Sequence, residues 1–369
     1  MYDTKKNLSV SETLSLLGVL GRLPFYLIFV VSFSPLLPHT KGKSLKRVIS
    51  EAFPGFLIAK LSVRQIQRLL GPSTKSYLAW AKKNAVVPVI EDIGTGDAKL
   101  IWLTEKKTDK VFLYAHGKSL FHPICCCLCK LCSKPPRESK ISASYPWYTA
   151  SNFHYGPSSK PEIIFLALHP AKFPTQLAEL TTALNQLISS GVSPENIVLA
   201  GDSAGGNLIV QLIQHTMRPF PGIPTSPFSS ENADTPRKEL GGIWLISPWI
   251  SLGSPTPSYA RNTHYDWVSA AVFNYWGATA TAGVPELHIP YINPSSASLL
   301  SGVEKITSRV LITAGSHECL FDDAVAIDAM IKELKIPENG WRLYWISRKE
   351  GCMKMSFLIL NRLKSRVDD

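Results

Sequence analysis

The sequence has few cysteines, the residues whose disulfide bonds stabilise many small secreted proteins. Only 7 of its 369 residues are cysteine; five of them fall within residues 125–132, and Cys319 and Cys352 stand alone. Because neighbouring cysteines rarely meet disulfide geometry with one another, this is not a disulfide framework. A zinc site would need a second ligand pair at suitable spacing, and only His122 lies close by. The sequence therefore implies no metal and no organic cofactor.

Charged residues are also few. They make up 18% of the chain against 45% hydrophobic residues, a balance that argues against extensive disorder. The formal net charge of +11 would suit nucleic acid or an anionic membrane surface. No nucleic-acid-binding module is recognisable, and the basic residues look scattered apart from short clusters such as residues 41–47. We expect no nucleic-acid partner and interpret most of this charge as a solvated surface, with a juxtamembrane role for residues 41–47 as the alternative.

A nearly continuous apolar run extends from Thr13 to Pro38. Its length is close to what spans a bilayer, although Arg22 and Pro24 weaken a spanning helix. A cleaved signal peptide would show a charged region, an apolar run and a small-residue cleavage site, and this pattern is not obvious here. We favour a membrane anchor over residues 1–46, with a membrane-associated location such as the endoplasmic reticulum. The alternative is a buried or interfacial helix that covers a pocket, in a cytoplasmic protein.

Residues 47–369 are predicted to form one α/β domain. Apolar spacing between residues 47 and 83 is typical of helices. Beyond it, apolar runs typical of buried strands alternate with helical segments, which predicts a mostly parallel sheet with helices on both faces. The predicted strands begin at Lys99, Lys110, Glu162, Asn196, Gly242, Arg309 and Trp341. Residues 118–160 show no clear hydrophobic period and are predicted to be an irregular insertion.

The most informative motif is Gly-Asp-Ser-Ala-Gly-Gly at residues 201–206, between an apolar strand and a helix. In such a turn the serine hydroxyl is exposed, and a side chain at either flanking glycine would collide with neighbouring elements. The helix N-terminus adds partial positive charge, and the Ala204 N–H is placed to bind a developing oxyanion. Ser203 is therefore the candidate nucleophile.

This motif resembles the hormone-sensitive-lipase group of esterases, the α/β-hydrolase fold-3 type. Further segments resemble a fungal, steryl acetyl hydrolase-like branch of that group: residues 172–177, residues 247–251, Ser258, Asn262 and Asp266. The resemblance covers roughly residues 47–346. It implies an α/β-hydrolase fold and a serine hydrolase of carboxylic esters, including acetyl esters, of small to medium hydrophobic molecules such as sterols or secondary metabolites.

The oxyanion loop departs from the pattern of this group. The group carries His-Gly-Gly-Gly after an early strand, because backbone N–H groups must approach the oxyanion without side chains in the way. This sequence has His116-Gly117-Lys118-Ser119. The resemblance implies that Gly117, Lys118 and Ala204 supply the oxyanion-hole N–H groups, with a lysine where glycine is expected.

The resemblance also assigns the acid of the catalytic triad, but the histidine that should act as its base is missing. Glu318 takes the acid position after a late strand; Asp322 and Asp323 are the fallback, although acids there suit the start of the following helix. The catalytic histidine is expected after one more strand, but no histidine follows His317. The expected position falls near Met353 or Lys354.

Three explanations remain open for the missing histidine. We favour a misread coding sequence for the tail, since residues 353–369 resemble nothing in the group. His317 could instead swing toward Ser203. Alternatively, the protein has lost hydrolysis and keeps the fold for binding, cyclisation or proton transfer. Loss of a triad member costs several orders of magnitude in rate, so the choice decides whether the chain is an active hydrolase.

Overall fold

A computed structural model describes most of the chain. The described residues are 7–37, 40, 43–94, 98–103, 106, 108–117, 162–167, 172–229, 238–337, 340 and 342–348. Lys118, the insertion predicted at 118–160, the cysteines at 125–132, and Met353 and Lys354 lie outside them.

An eight-stranded, mostly parallel sheet forms the centre of the described part of the chain. The strands are β1 (Val89–Asp92), β2 (Lys99–Trp102), β3 (Val111–Ala115), β4 (Glu162–Ala167), β5 (Ile197–Asp202), β6 (Gly242–Ile246), β7 (Arg309–Gly315) and β8 (Arg342–Arg348). Their order is β1-β2-β4-β3-β5-β6-β7-β8. β2 is antiparallel to both β1 and β4, and every other pairing is parallel. The predicted fold class is thus confirmed. The short β1 was missed because only Val89 and Ile90 in it are apolar.

Ten α-helices lie around this sheet in the described residues. They are α1 (Val10–Phe33), α2 (Leu45–Lys60), α3 (Val63–Leu70), α4 (Ser73–Lys83), α5 (Thr175–Ser189), α6 (Ala204–Met217), α7 (Pro257–Asn262), α8 (Ala270–Thr281), α9 (Ile289–Ile292) and α10 (Phe321–Glu333). The main core joins the strands to α5, α6 and α10, with Leu113, Leu199, Leu180, Ile209 and Ile327 all buried in it. This packing fixes α6, and with it the turn that precedes the helix.

The apolar run at the N-terminus forms α1, which continues through Pro24. A capping box at Ser9 and Glu12 begins the helix three residues before the predicted apolar run. By length and composition, α1 is the one described helix that could span a membrane. It belongs to a second apolar cluster with α2, α3 and the segment after β6, in which Val19, Leu57, Trp249 and Phe273 are buried. The structure therefore packs α1 against the folded domain.

Candidate active site

Ser203 lies on a sharp turn between β5 and α6. Its backbone has φ 51° and ψ −118°, in the left-handed region that non-glycine residues rarely adopt. Hydrogen bonds hold the turn, since the Ser203 N–H donates to the Ile246 carbonyl at 3.0 Å and the Ser203 carbonyl accepts from the Trp249 N–H at 3.0 Å. Strain of this kind persists only where the surroundings impose it, and it marks functional sites.

Glycines on both sides of Ser203 allow this turn to form. A Cβ added at Gly201 would lie 2.6 Å from the carbonyl carbon of Gly205. At Gly205 it would lie 1.9 Å from the carbonyl oxygen of Ala115, so α6 could not approach β3 as closely. The steric reason predicted for both glycines is present in the structure.

Two of the predicted oxyanion donors, Ala204 and Gly117, lie next to each other at this turn. Ala204 is the first residue of α6, where backbone N–H groups have no partner within the helix. Gly117 lies beside it, because a Cβ at Gly117 would come within 2.8 Å of the Ala204 nitrogen. The Gly117 N–H donates to Asp202 Oδ1 at 2.9 Å, so in this geometry it is bonded to that carboxylate, and its oxyanion role stays a prediction. Lys118 lies outside the described residues.

Asp202 organises this corner, a role that the sequence pattern did not predict. Its buried carboxylate oxygen Oδ1 accepts hydrogen bonds from the Tyr114 hydroxyl at 2.8 Å and from Gly117, and lies 3.4 Å from His116 Nδ1. The end of β3 is thereby tied to the end of β5. An acidic residue closing an otherwise apolar buried strand was the signal that could have revealed it.

Glu318 follows β7 and is fully buried. Its N–H donates to the Gly315 carbonyl at 3.0 Å, and its Oε2 accepts a hydrogen bond from Ser247 Oγ. Ser247 is the first residue after β6, adopts a positive φ of 42°, and directly follows Ile246, the residue bonded to the Ser203 N–H. The nucleophile candidate and the acid candidate are thus joined through the ends of three neighbouring strands. The role of Ser247 was not predicted.

Three polar side chains hold the loop that carries Glu318. Asn262 Nδ2 donates to the carbonyls of Glu318 at 2.7 Å and Ser316 at 3.0 Å. Asp266 Oδ2 accepts from the Cys319 N–H at 2.8 Å, and Ser258 Oγ donates to the Cys319 carbonyl at 2.5 Å. Burial raises the pKa of Asp266 to about 7. The resemblance had singled out Ser258, Asn262 and Asp266, and the structure places all three against this loop.

Asp322, Asp323 and His317 each have other partners in the structure. Asp322 accepts from the Ser258 N–H at 2.8 Å and from Arg261 at 2.7 Å, in the first turn of α10. Asp323 accepts from the Ile250 N–H at 3.1 Å. The His317 ring stacks on Tyr265 with 4.9 Å between ring centroids. No group of three metal-ligating side chains occurs among the described residues.

A mostly parallel sheet with a serine at a strained strand-to-helix turn is the α/β-hydrolase fold. A model of the third α/β-hydrolase family, described as alpha/beta hydrolase fold, matches residues 169–338. That span includes Ser203 and Glu318 and ends before β8.

Individual proteins show the same likeness. The chain is 28% identical over 169 residues to an acetyl-hydrolase of Streptomyces hygroscopicus, a match covering 44% of this chain and 49% of that protein. The match therefore spans about half the length of this curated relative. A crystal structure of a mutant of the esterase E40 is similar with a TM-score of 0.51 and 19% identity, covering 86% of this chain and 92% of that one. At this identity the likeness concerns the fold.

Proposed function

We propose that the protein is a serine hydrolase of carboxylic esters with Ser203 as its nucleophile. The observation that carries this proposal is the strained turn at Ser203, with φ 51°, at the N-terminus of α6. The hydroxyl attacks the acyl carbon, and the resulting oxyanion is stabilised by the Ala204 N–H and the positive end of the helix. The alcohol then leaves, and water releases the acyl group from Ser203.

Glu318 is the proposed acid of this site. Its burial and its bond from Ser247 hold a carboxylate at the end of β7, two strands from the nucleophile strand in the sheet order. In a triad, such a carboxylate orients the base and stabilises its protonated form. The positions where the resemblance expects the base, Met353 and Lys354, carry no imidazole.

For the substrate we propose acetyl esters of small to medium hydrophobic molecules, such as sterols or secondary metabolites. The similarity to an acetyl-hydrolase supports the acetyl group. Ala204 packs against a buried apolar cluster that includes Trp249 and Phe273, and these apolar surroundings support a hydrophobic alcohol. The segments at 172–177 and 247–251 support the fungal branch. Comparing release of acetate from a steryl acetate with its release from a short alkyl acetate tests this specificity.

A second candidate function is a non-hydrolytic role on the same fold. The absence of any histidine after His317 favours it, and so does the stacking of His317 on Tyr265. Without an imidazole, Ser203 has no ordinary general base, and hydrolysis would fall by several orders of magnitude.

A fluorophosphonate probe separates the two candidates. If Ser203 is activated, the folded protein is labelled and hydrolyses p-nitrophenyl acetate, and Ser203→Ala loses both properties. The matched control is Ser298→Ala, which removes an exposed serine far from the turn in sequence and should leave labelling unchanged. Absence of labelling in protein that unfolds cooperatively would contradict the hydrolase proposal and favour the second candidate.

A further inference from the structure

The exposed face of α1 is strongly apolar. Phe25 is 75% exposed, Ile28 65% and Leu14 64%. Leu17, Phe29 and Phe33 extend this surface along the helix, which we call the apolar stripe. Large apolar surfaces on a soluble protein mark contact with a partner or a membrane.

The opposite face of α1 is attached to the domain by specific contacts. Val19 and Val30 are buried, and the ring of Tyr26 stacks on Phe56 of α2 with 4.5 Å between centroids. Gln65 Nε2 of α3 donates to the Glu12 carbonyl at 2.8 Å, and Arg64 pairs with the Glu12 carboxylate at 3.2 Å. A helix crossing a bilayer is surrounded by lipid or by other apolar spans. Keeping these contacts would draw the charged helices α2 and α3 into the hydrocarbon.

The net positive charge of the protein is concentrated in the same N-terminal part of the sequence. Residues 1–83 contain 13 Lys and Arg against 3 Asp and Glu, whereas the remaining residues contain 26 against 25. The basic residues are spread along the chain, but the net positive charge is not: almost all of it comes from residues 1–83. Seven basic residues among the first four helices are exposed: Arg22, Lys46, Lys60, Arg68, Lys75, Lys82 and Lys83.

We propose that α1 lies in the plane of an anionic membrane surface, with the apolar stripe at the boundary between headgroups and acyl chains, and does not cross the bilayer. Apolar burial together with attraction to anionic lipid is the combination that holds interfacial helices. A second copy of the chain docked through the same surface is disfavoured, since it would bring two equally basic sets of helices α1–α4 together. The proposal does not depend on the hydrolase activity.

Topology distinguishes an in-plane helix from a spanning one. The full chain carries one epitope tag at each terminus, and sealed membranes from expressing cells are treated with protease, with and without detergent. For an in-plane helix, both tags should show the same accessibility before detergent is added. One tag digested and the other protected would overturn the proposal.

Lipid binding tests the surface itself. Purified protein is floated with vesicles of phosphatidylcholine alone and with vesicles that also contain phosphatidylserine. We expect binding mainly to the anionic vesicles and a loss of roughly tenfold or more in Phe25→Ser/Ile28→Ser, because two exposed apolar side chains no longer enter the lipid. Leu287→Ser is the control, since Leu287 is 83% exposed but is not part of helices α1–α4.

Two results would count against this surface. One is equal flotation of the double variant and the wild-type protein. The other is a wild-type chain that ignores both kinds of vesicle but sediments as an oligomer, which the double variant converts to a monomer. The second result would identify another copy of the chain as the occupant.

Discussion

Asp202 and Ser203 are neighbours in the chain but serve the turn in different ways. Ser203 adopts a strained backbone at the start of α6, whereas the Asp202 side chain lies against the end of β3 and bonds Tyr114 and Gly117. A buried N–H or hydroxyl without an acceptor costs free energy. The geometry at Ser203 therefore depends on a carboxylate that takes no part in the proposed reaction.

Replacing Asp202 tests this dependence. Asp202→Ala removes the carboxylate that accepts from both the Tyr114 hydroxyl and the Gly117 N–H, and we expect the free energy of unfolding to fall by about 2–4 kcal/mol. Urea denaturation measures the change. Tyr114→Phe, which removes only one of the donors, should cost less. Equal stability of Asp202→Ala and the wild-type protein would contradict this role.

Asp323 is expected to make stability depend on pH. Burial raises the pKa of its carboxyl from 3.8 to about 7 in the folded protein. Between those two values the folded state holds a proton that the unfolded state has released, so stability falls as pH rises through this range. Asp323→Asn mimics the protonated form and should flatten the fall by an amount on the order of 1–4 kcal/mol.

Urea midpoints at about pH 5 and about pH 8 test this expectation. Asp266 has a pKa raised to about 7 by burial as well, so some pH dependence should persist in Asp323→Asn. Asp322, which pairs with Arg261 and is less buried, offers the control Asp322→Asn. If Asp323→Asn keeps the full dependence of the wild-type protein, Asp323 is not its source.

At the scale of elements, the packing of α6 against β3 and β5 depends on small residues. A Cβ at Gly205 would lie 1.9 Å from the backbone of Ala115, which cannot move without breaking the sheet. We expect Gly205→Ala to destabilise the fold by about 3 kcal/mol or more, as overpacking against rigid backbone does. Thermal unfolding reports the loss.

Gly21 provides the matched substitution within a helix. Nothing lies within 4 Å of a Cβ added there, and Gly21 is inside α1. Gly21→Ala should therefore be neutral or stabilise by up to about 1 kcal/mol, since alanine has the higher helix propensity. Similar effects of the two substitutions would refute the steric explanation for Gly205.

At the scale of the whole molecule, α1 covers part of a core rather than projecting from it. Its buried face joins the cluster of Leu57, Trp249 and Phe273. Removing residues 1–36 should expose that cluster and lower the urea midpoint measured in mild detergent. If α1 were only an anchor, the midpoint would not change. The same truncation should reduce binding to anionic vesicles, because the apolar stripe is lost with it.

Periodicity and apolar runs predicted seven of the eight strands and their alternation with helices, because local hydrophobic pattern and buried parallel strands are directly linked. The turn at Ser203 was predictable for a similar reason, since its two glycines are a local steric requirement. The bonds of Asp202, Ser247 and Asn262 were not predictable. Each joins residues far apart in the chain, and only the folded sheet brings them together.

The sequence by itself determined the alternation of strands and helices beyond β1, the turn at Ser203 and the apolar character of α1. Each of these follows from neighbouring residues. The tertiary structure alone decided that the Gly117 N–H bonds Asp202, that Ser247 bonds Glu318, and that α1 lies against α2 and α3. Those outcomes depend on which surfaces meet when the chain closes its core, and that is a property of packing rather than of local pattern.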